Sequence, residues 1–213
     1  MFTGLIESIC RVKSVSRSSG AMLLSIDLAE LADGTKTGHS IAINGACLTV
    51  AALDGRIARF DISPETLAKS NLGGLRPGSM ANAERAIKAD SRFGGHFVTG
   101  HIDGTATIKT IDRTGQFADM KFAAPPELLE QMIPKGSVAV DGISLTIANM
   151  EQTSFSVTLI PETLKNTTLG KAKIGDWVNI ENDIIVKTIK TQLEKILPQK
   201  QPLTIEKLKK FGF

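Results

Sequence analysis

The sequence predicts an all-β protein of two tandem, similar antiparallel barrels, each carrying short helices, with a helix at the C-terminus. Three observations carry that expectation. The 213-residue chain repeats itself at a shift of 97, so that "SIAINGACLTV" (40–50) lies over "SVAVDGISLTI" (137–147) and "PETL" (64–67) over "PETL" (161–164). Each copy consists of short runs rich in branched residues, divided by tight-turn dipeptides. Beyond Asp183 the apolar spacing changes from two to three and four.

The repeat begins at the extreme N-terminus, where "FTGLIE" (2–7) lies over "VTGHID" (98–103) at a shift of 96. One gap brings the rest into the longer register: Leu72-Gly73 over Leu169-Gly170, Gly78 over Gly175, Asn82 over Asn179, Glu84 over Glu181. A period this long is a domain duplication and not a solenoid. The expected domains are residues 1–96, residues 97–183, and a C-terminal helix and tail at 184–213. "RAIKADSRFGGHF" (85–97) breaks the β pattern at Gly94-Gly95 and reads as the linker.

Within the copies, "SIAINGACLTVAAL" and "RIARFDIS" are strand runs set off by Asn44-Gly45 and Asp54-Gly55; the second copy has Asp141-Gly142 and "SFSVTLI". Short strands joined by tight turns favour a small barrel. PETL reads as a short helix, with Pro64 and Pro161 at the first position, where no N–H is needed. Gly73 and Gly170 are placed to stop it. Ser63 can cap the first helix, but Ile160 stands in its place in the second. After Asp183, Ile185, Ile189, Leu193 and Ile196 form a stripe flanked by Lys187, Lys190 and Glu194. That stripe packs either on its own chain or on copies of itself. Pro198 stops or kinks the helix, and "PLTIEKLKKFGF" (202–213) reads as one further amphipathic piece.

A net charge of +3, with no Lys/Arg run interleaved with aromatics, argues against a nucleic-acid groove. No stretch approaches the ~20 apolar residues of a membrane span, and "MFTGLIES" lacks a signal-peptide pattern. Cys10 and Cys47 are too few for a disulfide framework, so a reducing cytoplasm is the simplest home. Tyr is absent and Trp177 is the single Trp, so a bound ring has no Tyr to stack on. No phosphate loop, GxSxG, HExxH or CxxC is present, and His96 with His101 is not a metal spacing.

Two elements can meet a ligand. Period two sets Ala46, Leu48 and Val50 on one face of a strand and Cys47 and Thr49 on the other. The second copy repeats this with Ile143, Leu145 and Ile147 against Ser144 and Thr146. The N-termini of the PETL helices offer unpaired N–H groups, although a scaffold turn explains them as well. The copies differ where Phe2 becomes Val98, Leu5 becomes His101 and Cys47 becomes Ser144.

"MFTGLIE", "NGACLTV", the first PETL segment, "GGHFVTGHIDG", "DGISLTI" and "LIPETLKNTTLG", in this order over residues 1–197, resemble the riboflavin synthase alpha-chain family of lumazine-binding double barrels. The resemblance implies two six-stranded antiparallel Greek-key barrels and a cytoplasmic homotrimer held by the C-terminal helix. It implies a transferase, the last step of riboflavin biosynthesis. Two molecules of 6,7-dimethyl-8-ribityllumazine dismutate, one giving a four-carbon unit to the other, to yield riboflavin and 5-amino-6-(D-ribitylamino)uracil. No metal or redox cofactor is needed, and lumazine synthase is a further partner to consider. Because the substrate's 7-methyl group is acidic, weak bases suffice, and holding two rings in register can supply ~7–11 kcal/mol.

In the family the site lies between the N-barrel of one subunit and the C-barrel of its neighbour. Carried over by position, the first pocket is expected to use Gly4, Leu5 and Ile6, then Cys47, Leu48 and Thr49, then Asp61, Ile62, Ser63, Pro64, Glu65 and Thr66. The second is expected to use Gly100, His101 and Ile102, Lys135, then Ser144, Leu145 and Thr146, then Leu159, Ile160, Pro161, Glu162, Thr163 and Leu164. Phe2, Cys47, His101 and Asp183 match positions the family associates with catalysis. Phe2 can wall a ring, His101 can shuttle protons near neutral pH, and Cys47 and Ser144 can donate or add to the ring. The residues leave open which group takes the methyl proton.

The family's "GDWVN" is kept at 175–179 but reads "GSMAN" at 78–82, Thr188 stands at a commonly aromatic position and Asn182 at a usually apolar one. A non-catalytic lumazine- or flavin-binding relative is the alternative reading; it is expected to lose catalytic identities, which are present here. A flavin reductase barrel is disfavoured by the absence of Tyr and of a dinucleotide fingerprint.

Overall fold

The structure, a computed structural model, describes residues 1–18 and 20–196. β1 (Ser8–Ser18), β2 (Ala21–Asp27), β3 (Ser40–Ile43), β4 (Ala46–Asp54), β5 (Ile57–Ile62) and β6 (Met80–Arg85) close a barrel in the order β1-β2-β5-β4-β3-β6. β7 (Gly104–Thr114), β8 (Phe117–Ala123), β9 (Ser137–Val140), β10 (Ile143–Met150), β11 (Ser154–Leu159) and β12 (Trp177–Asn182) close a second in the same cyclic order. All neighbours are antiparallel. β3, β4 and β5 are joined by hairpins while β2 returns beside β5, which is the Greek-key connection. Even the bulges correspond, at Val12/Ser14 and Ile108/Thr110, and at Val50/Ala52 and Ile147/Asn149.

The alternation read from the sequence sorts the side chains. Ala46, Leu48 and Val50 point into the first core, whereas Cys47 is half-buried and Thr49 exposed. Ile143 and Ile147 do the same in the second, with Leu145 packed at its margin. Burial of these faces is the main driving force for closing each barrel.

α1 (Pro64–Lys69), α2 (Pro126–Leu129), α3 (Pro161–Asn166) and α4 (Ile184–Ile196) are the helices. Proline opens both PETL helices; Ser63 Oγ accepts from Thr66 N, and Ile160 supplies no cap. The stop differs from expectation. α1 and α3 end at Ser70 and Thr167, whose backbones are extended and whose hydroxyls donate back to the Thr66 and Thr163 carbonyls at 2.6 and 2.7 Å. Gly73 and Gly170 fall inside the following 3-10 turns, and neither has a positive φ. At Gly170 the reason is packing: a Cβ would lie 1.8 Å from the Leu164 carbonyl oxygen.

The apolar stripe of α4 does not pack on its own chain among the described residues: Ile185, Ile189 and Leu193 are about half exposed. Polar contacts on its first half tie the helix down, the last of them from Lys190 Nζ to Glu130 at 3.3 Å. Asp183 Oδ1 accepts from Ile185 N, and Lys187 Nζ reaches Asp103 at 2.6 Å. No helix among the described residues is long and apolar enough to cross a membrane. The break expected at Pro198 and the piece at 202–213 lie outside the described residues.

The barrels meet through a buried polar seam. Asn44-Gly45 and Asp141-Gly142 form hairpin turns with positive φ at all four residues, as such turns require. They press back to back, and a Cβ on Gly45 would come 2.7 Å from Gly142 N. Asn82 Nδ2 donates to the Asp141 carbonyl at 3.0 Å and Asn179 Nδ2 to the Asn44 carbonyl at 2.8 Å. Asn179 N and Asn71 Nδ2 both donate to Asp141 Oδ1. Burial pushes the Asp141 carboxyl up to about 7, against the pull of these bonds.

The seam yields a prediction. A carboxyl whose folded pKa is raised contributes stability at low pH that is lost as pH rises through about 7. Asp141→Asn, which copies the residue already present at Asn44, should flatten the wild-type loss of stability between pH 6 and 8. At pH 8 it should exceed wild type by on the order of a few kcal/mol. Urea unfolding of both proteins at the two pH values measures this difference, and equal slopes would refute it.

Candidate functional site

The site grows from one cross-strand row on the outside of each barrel. In the first, Ala42 of β3 lies opposite Cys47 on one side and Glu84 on the other. In the second, Ala139 of β9 lies opposite Ser144 and Glu181. Ile41 and Ile43, like Val138 and Val140, face the cores, so both alanines face outward. Their small side chains leave room for two extended arms. Phe2 and Val98 form an antiparallel bridge, with N–H···O distances of 2.7 and 3.2 Å, and bury themselves against Ala42 and Ala139.

Each arm is held by a carboxylate. Glu84 accepts from Thr3 N and Thr3 Oγ1, both at 2.7 Å, and from Gly4 N at 3.0 Å. Glu181 accepts from Thr99 N and Oγ1 at 2.6 Å and from Gly100 N at 2.9 Å. The next peptide of each arm then meets the opposite barrel. Gly4 O accepts from Ser144 N at 2.8 Å, and Gly100 O accepts from Cys47 N at 2.9 Å. Ile6 packs on the second core and Ile102 on the first.

Each arm therefore meets the barrel opposite to the one that a copy-by-copy alignment assigns it. Segment 4–6 lies against Ser144 and the second core, and segment 100–102 against Cys47 and the first core. Aligning the copies assigns each arm to its own barrel. The Phe2–Val98 bridge overrides that assignment, because two arms that pair with each other must each lie between the barrels.

Around the Cys47 half-site, the register that sets Val50 opposite Phe60 carries the end of β5, with Asp61 and Ile62, along β4 beside Thr49. Ser63, Pro64, Glu65 and Thr66 follow as the cap and first turn of α1, largely exposed. Ile147 opposite Val157 likewise directs Leu159 and Ile160, then Pro161, Glu162, Thr163 and Leu164, along β10. Lys135 N donates to the Ile147 carbonyl with φ +65, where the first copy has Gly38 at φ +87. A lysine held in a glycine conformation is strained, and such strain concentrates at functional positions.

His96 is the residue that reading the sequence missed. Its Nδ1 lies 2.7 Å from Ser144 Oγ, and its N–H donates to the Thr3 carbonyl at 3.1 Å. Gly95 permits this approach, since a Cβ there would meet Thr3 O at 1.9 Å. Residues 94–96 are thus a wall of the Ser144 half-site as well as a linker. Burial lowers the imidazole's pKa and the charge of Asp183 opposes the shift, which keeps a neutral ring able to share the Ser144 proton. The available signal was that His96 sits beside Gly94-Gly95 with no counterpart in the first copy.

The four residues matched to catalysis are not gathered at one point. Cys47 and His101 share one half-site, with His101 exposed. Asp183 caps α4 and acts electrostatically on His96. Phe2 is 0 % exposed and packs beneath Gly100 and Cys47. A cavity of about 570 Å³ flanks the first arm at Thr3, Leu5 and Arg85, and one of about 810 Å³ lies between the barrels at Leu67, Asp141 and Trp177. Neither is lined by Cys47 or Ser144, which are both half-buried.

Comparison with known proteins places this geometry. The lumazine binding domain family matches residues 3–86 and again 99–183. A riboflavin synthase of Actinobacillus pleuropneumoniae is 39% identical over 216 residues, covering 100% of both chains. That of Bacillus subtilis is 39% identical over 207 residues, covering 97% of this chain and 96% of its own. The structure of LumP complexed with 6,7-dimethyl-8-(1'-D-ribityl) lumazine superposes with a TM-score of 0.79 at 22% identity, covering 85% of this chain and 99% of that one, a likeness of fold.

The contact of each arm with the opposite barrel is testable at glycine. Gly100 has φ +84, and a Cβ there would lie 2.4 Å from Cys47 Cβ; Gly34 has φ +78 in open space. Gly34→Ala should cost about 1 kcal/mol, from backbone strain alone. Gly100→Ala should cost about 2 kcal/mol or more, because the arm must also leave Cys47. Equal losses in chemical unfolding would mean that the arm does not rest on Cys47.

Proposed function

The chain belongs to the riboflavin synthase family of lumazine-binding double barrels, and from that premise we propose that it converts two molecules of 6,7-dimethyl-8-ribityllumazine into riboflavin and 5-amino-6-(D-ribitylamino)uracil. The observation that carries the proposal is a pair of half-sites built alike and equipped differently. Both have the same strand face, the same PETL helix and a crossed arm. One offers a thiol and an exposed imidazole, Cys47 and His101; the other a hydroxyl and a buried imidazole, Ser144 and His96.

That arrangement suits a reaction in which two identical molecules take opposite roles. The four-carbon unit leaves one ring and enters the other, so the exchange is redox-neutral overall and calls for proton transfers rather than an electron carrier. Strand and helix surfaces orient the rings. The neutral His96, in contact with Ser144, can take or return a proton at one ring, and His101 can do so at the other. The exposed stripe of α4 supports assembly into a homotrimer in which the first half-site of one chain meets the second half-site of a neighbour. A cytoplasmic setting fits the two unpaired cysteines.

Incubation of the purified chain with 6,7-dimethyl-8-ribityllumazine alone should produce riboflavin. Binding without product at any protein concentration would leave a lumazine-binding protein instead. His96→Gln and His101→Gln should each reduce kcat about 100-fold or more while leaving thermal unfolding near wild type. Removal of residues 184–213 should give a folded monomer with most activity lost; a truncated chain that stays trimeric and active would refute the assembly.

A further inference from the structure

We propose that Glu84 and Glu181 are positioning residues that act crosswise, the glutamate of each barrel setting the half-site of the other. The proposal rests on the synthase reading for its catalytic consequence, and on geometry alone for its structural one.

Both side chains are buried, Glu84 at 4% and Glu181 at 2% exposure. Neither has a cationic partner within 4.0 Å among the described residues. A carboxylate removed from water without a counter-ion is costly unless hydrogen bonds satisfy it. Here every such bond comes from an arm, with three donors shared between two oxygens. Among the described residues nothing on the home barrel bonds to these carboxylates, so holding the arm is what they do.

The relay is one residue long. Gly4 is bonded through N–H to Glu84 and through C=O to Ser144 N. Thr3, held by the same carboxylate, accepts from His96 N through its carbonyl. Glu84 of the first barrel therefore fixes both members of the Ser144–His96 pair. Gly100 is bonded to Glu181 on one side and to Cys47 N on the other, with His101 next in the chain. Glu181 of the second barrel therefore fixes Cys47 and His101. A glutamine cannot substitute, because its amide group would turn a donor toward one of three donors.

The readouts do not depend on turnover. Cys10 is fully buried, with its thiol pushed up to about 11, and serves as the unreactive reference for alkylation of Cys47. The chain has three histidines, so His96 and His101 can be followed by NMR titration with His39 as control. In the full-length chain, Glu181→Gln should change the alkylation rate of Cys47 about threefold or more and move the His101 titration, leaving His96 in place. Glu84→Gln should move the His96 titration and leave Cys47 alkylation and His101 unchanged. Each should lower kcat/KM about tenfold or more, the equivalent of one lost charge-assisted hydrogen bond.

Thr99→Val and Thr3→Val remove one donor each and should reproduce the two patterns at smaller amplitude if either glutamine variant fails to fold. Equal responses at both half-sites, a response confined to the home barrel, or none at all would overturn the crosswise assignment. A chain that shows the crossed pattern but makes no riboflavin would overturn the synthase reading and leave this one standing.

Discussion

Everything distinctive in this molecule depends on one short antiparallel contact, the pairing of Phe2 with Val98 over Ala42 and Ala139. A closed barrel has no free edge to offer a neighbour, so strand-like pairing between the two copies has to come from the arms. The bridge supplies shared backbone hydrogen bonds between the two copies. It requires alanine beneath it, glycine beside it and a carboxylate to satisfy the polar groups that it buries. Those requirements account for the Ala42/Ala139, Gly4/Gly100 and Glu84/Glu181 correspondences at once.

From that contact follows the crossing of the arms, and from the crossing follows the pairing of unlike groups. His101 occupies the position that Leu5 holds in the first arm, yet it serves the first barrel because its arm reaches there. The second barrel lacks an imidazole at the matching place and takes one from the linker, as His96. Duplication alone would give two half-sites of equal chemistry. Divergence at Cys47/Ser144, together with histidines from two sources, gives two of unequal chemistry on one scaffold.

The seam of Asn44, Asn71, Asn82, Asp141 and Asn179 plays the complementary part. A buried polar network with its partners in place specifies one relative orientation, since sliding the barrels would leave several groups unpaired. Orientation is what a relay of single hydrogen bonds between barrels needs. Asp141 departs from the local two-fold relation where its counterpart is Asn44, and it brings a titratable group into an otherwise neutral interface.

Amino-acid order alone was enough for the duplication, the strand faces and the PETL helix starts, because these rest on local rules: period two, turn dipeptides with positive φ, and proline at a first helical position. Cys47, Thr49, Ser144 and Thr146 were legible as one outward face for the same reason. The helix stops at Ser70 and Thr167 were not, since a hydroxyl bonding back four residues competed with glycine and prevailed. Only the tertiary structure decided that Gly4 belongs with Ser144, that Gly100 belongs with Cys47, and that His96 enters a site at all. These are contacts between residues 48 to 140 positions apart, and no periodicity encodes which of two similar barrels an arm will touch. That choice goes with the bridge between the arms, a pairing of residues 96 positions apart.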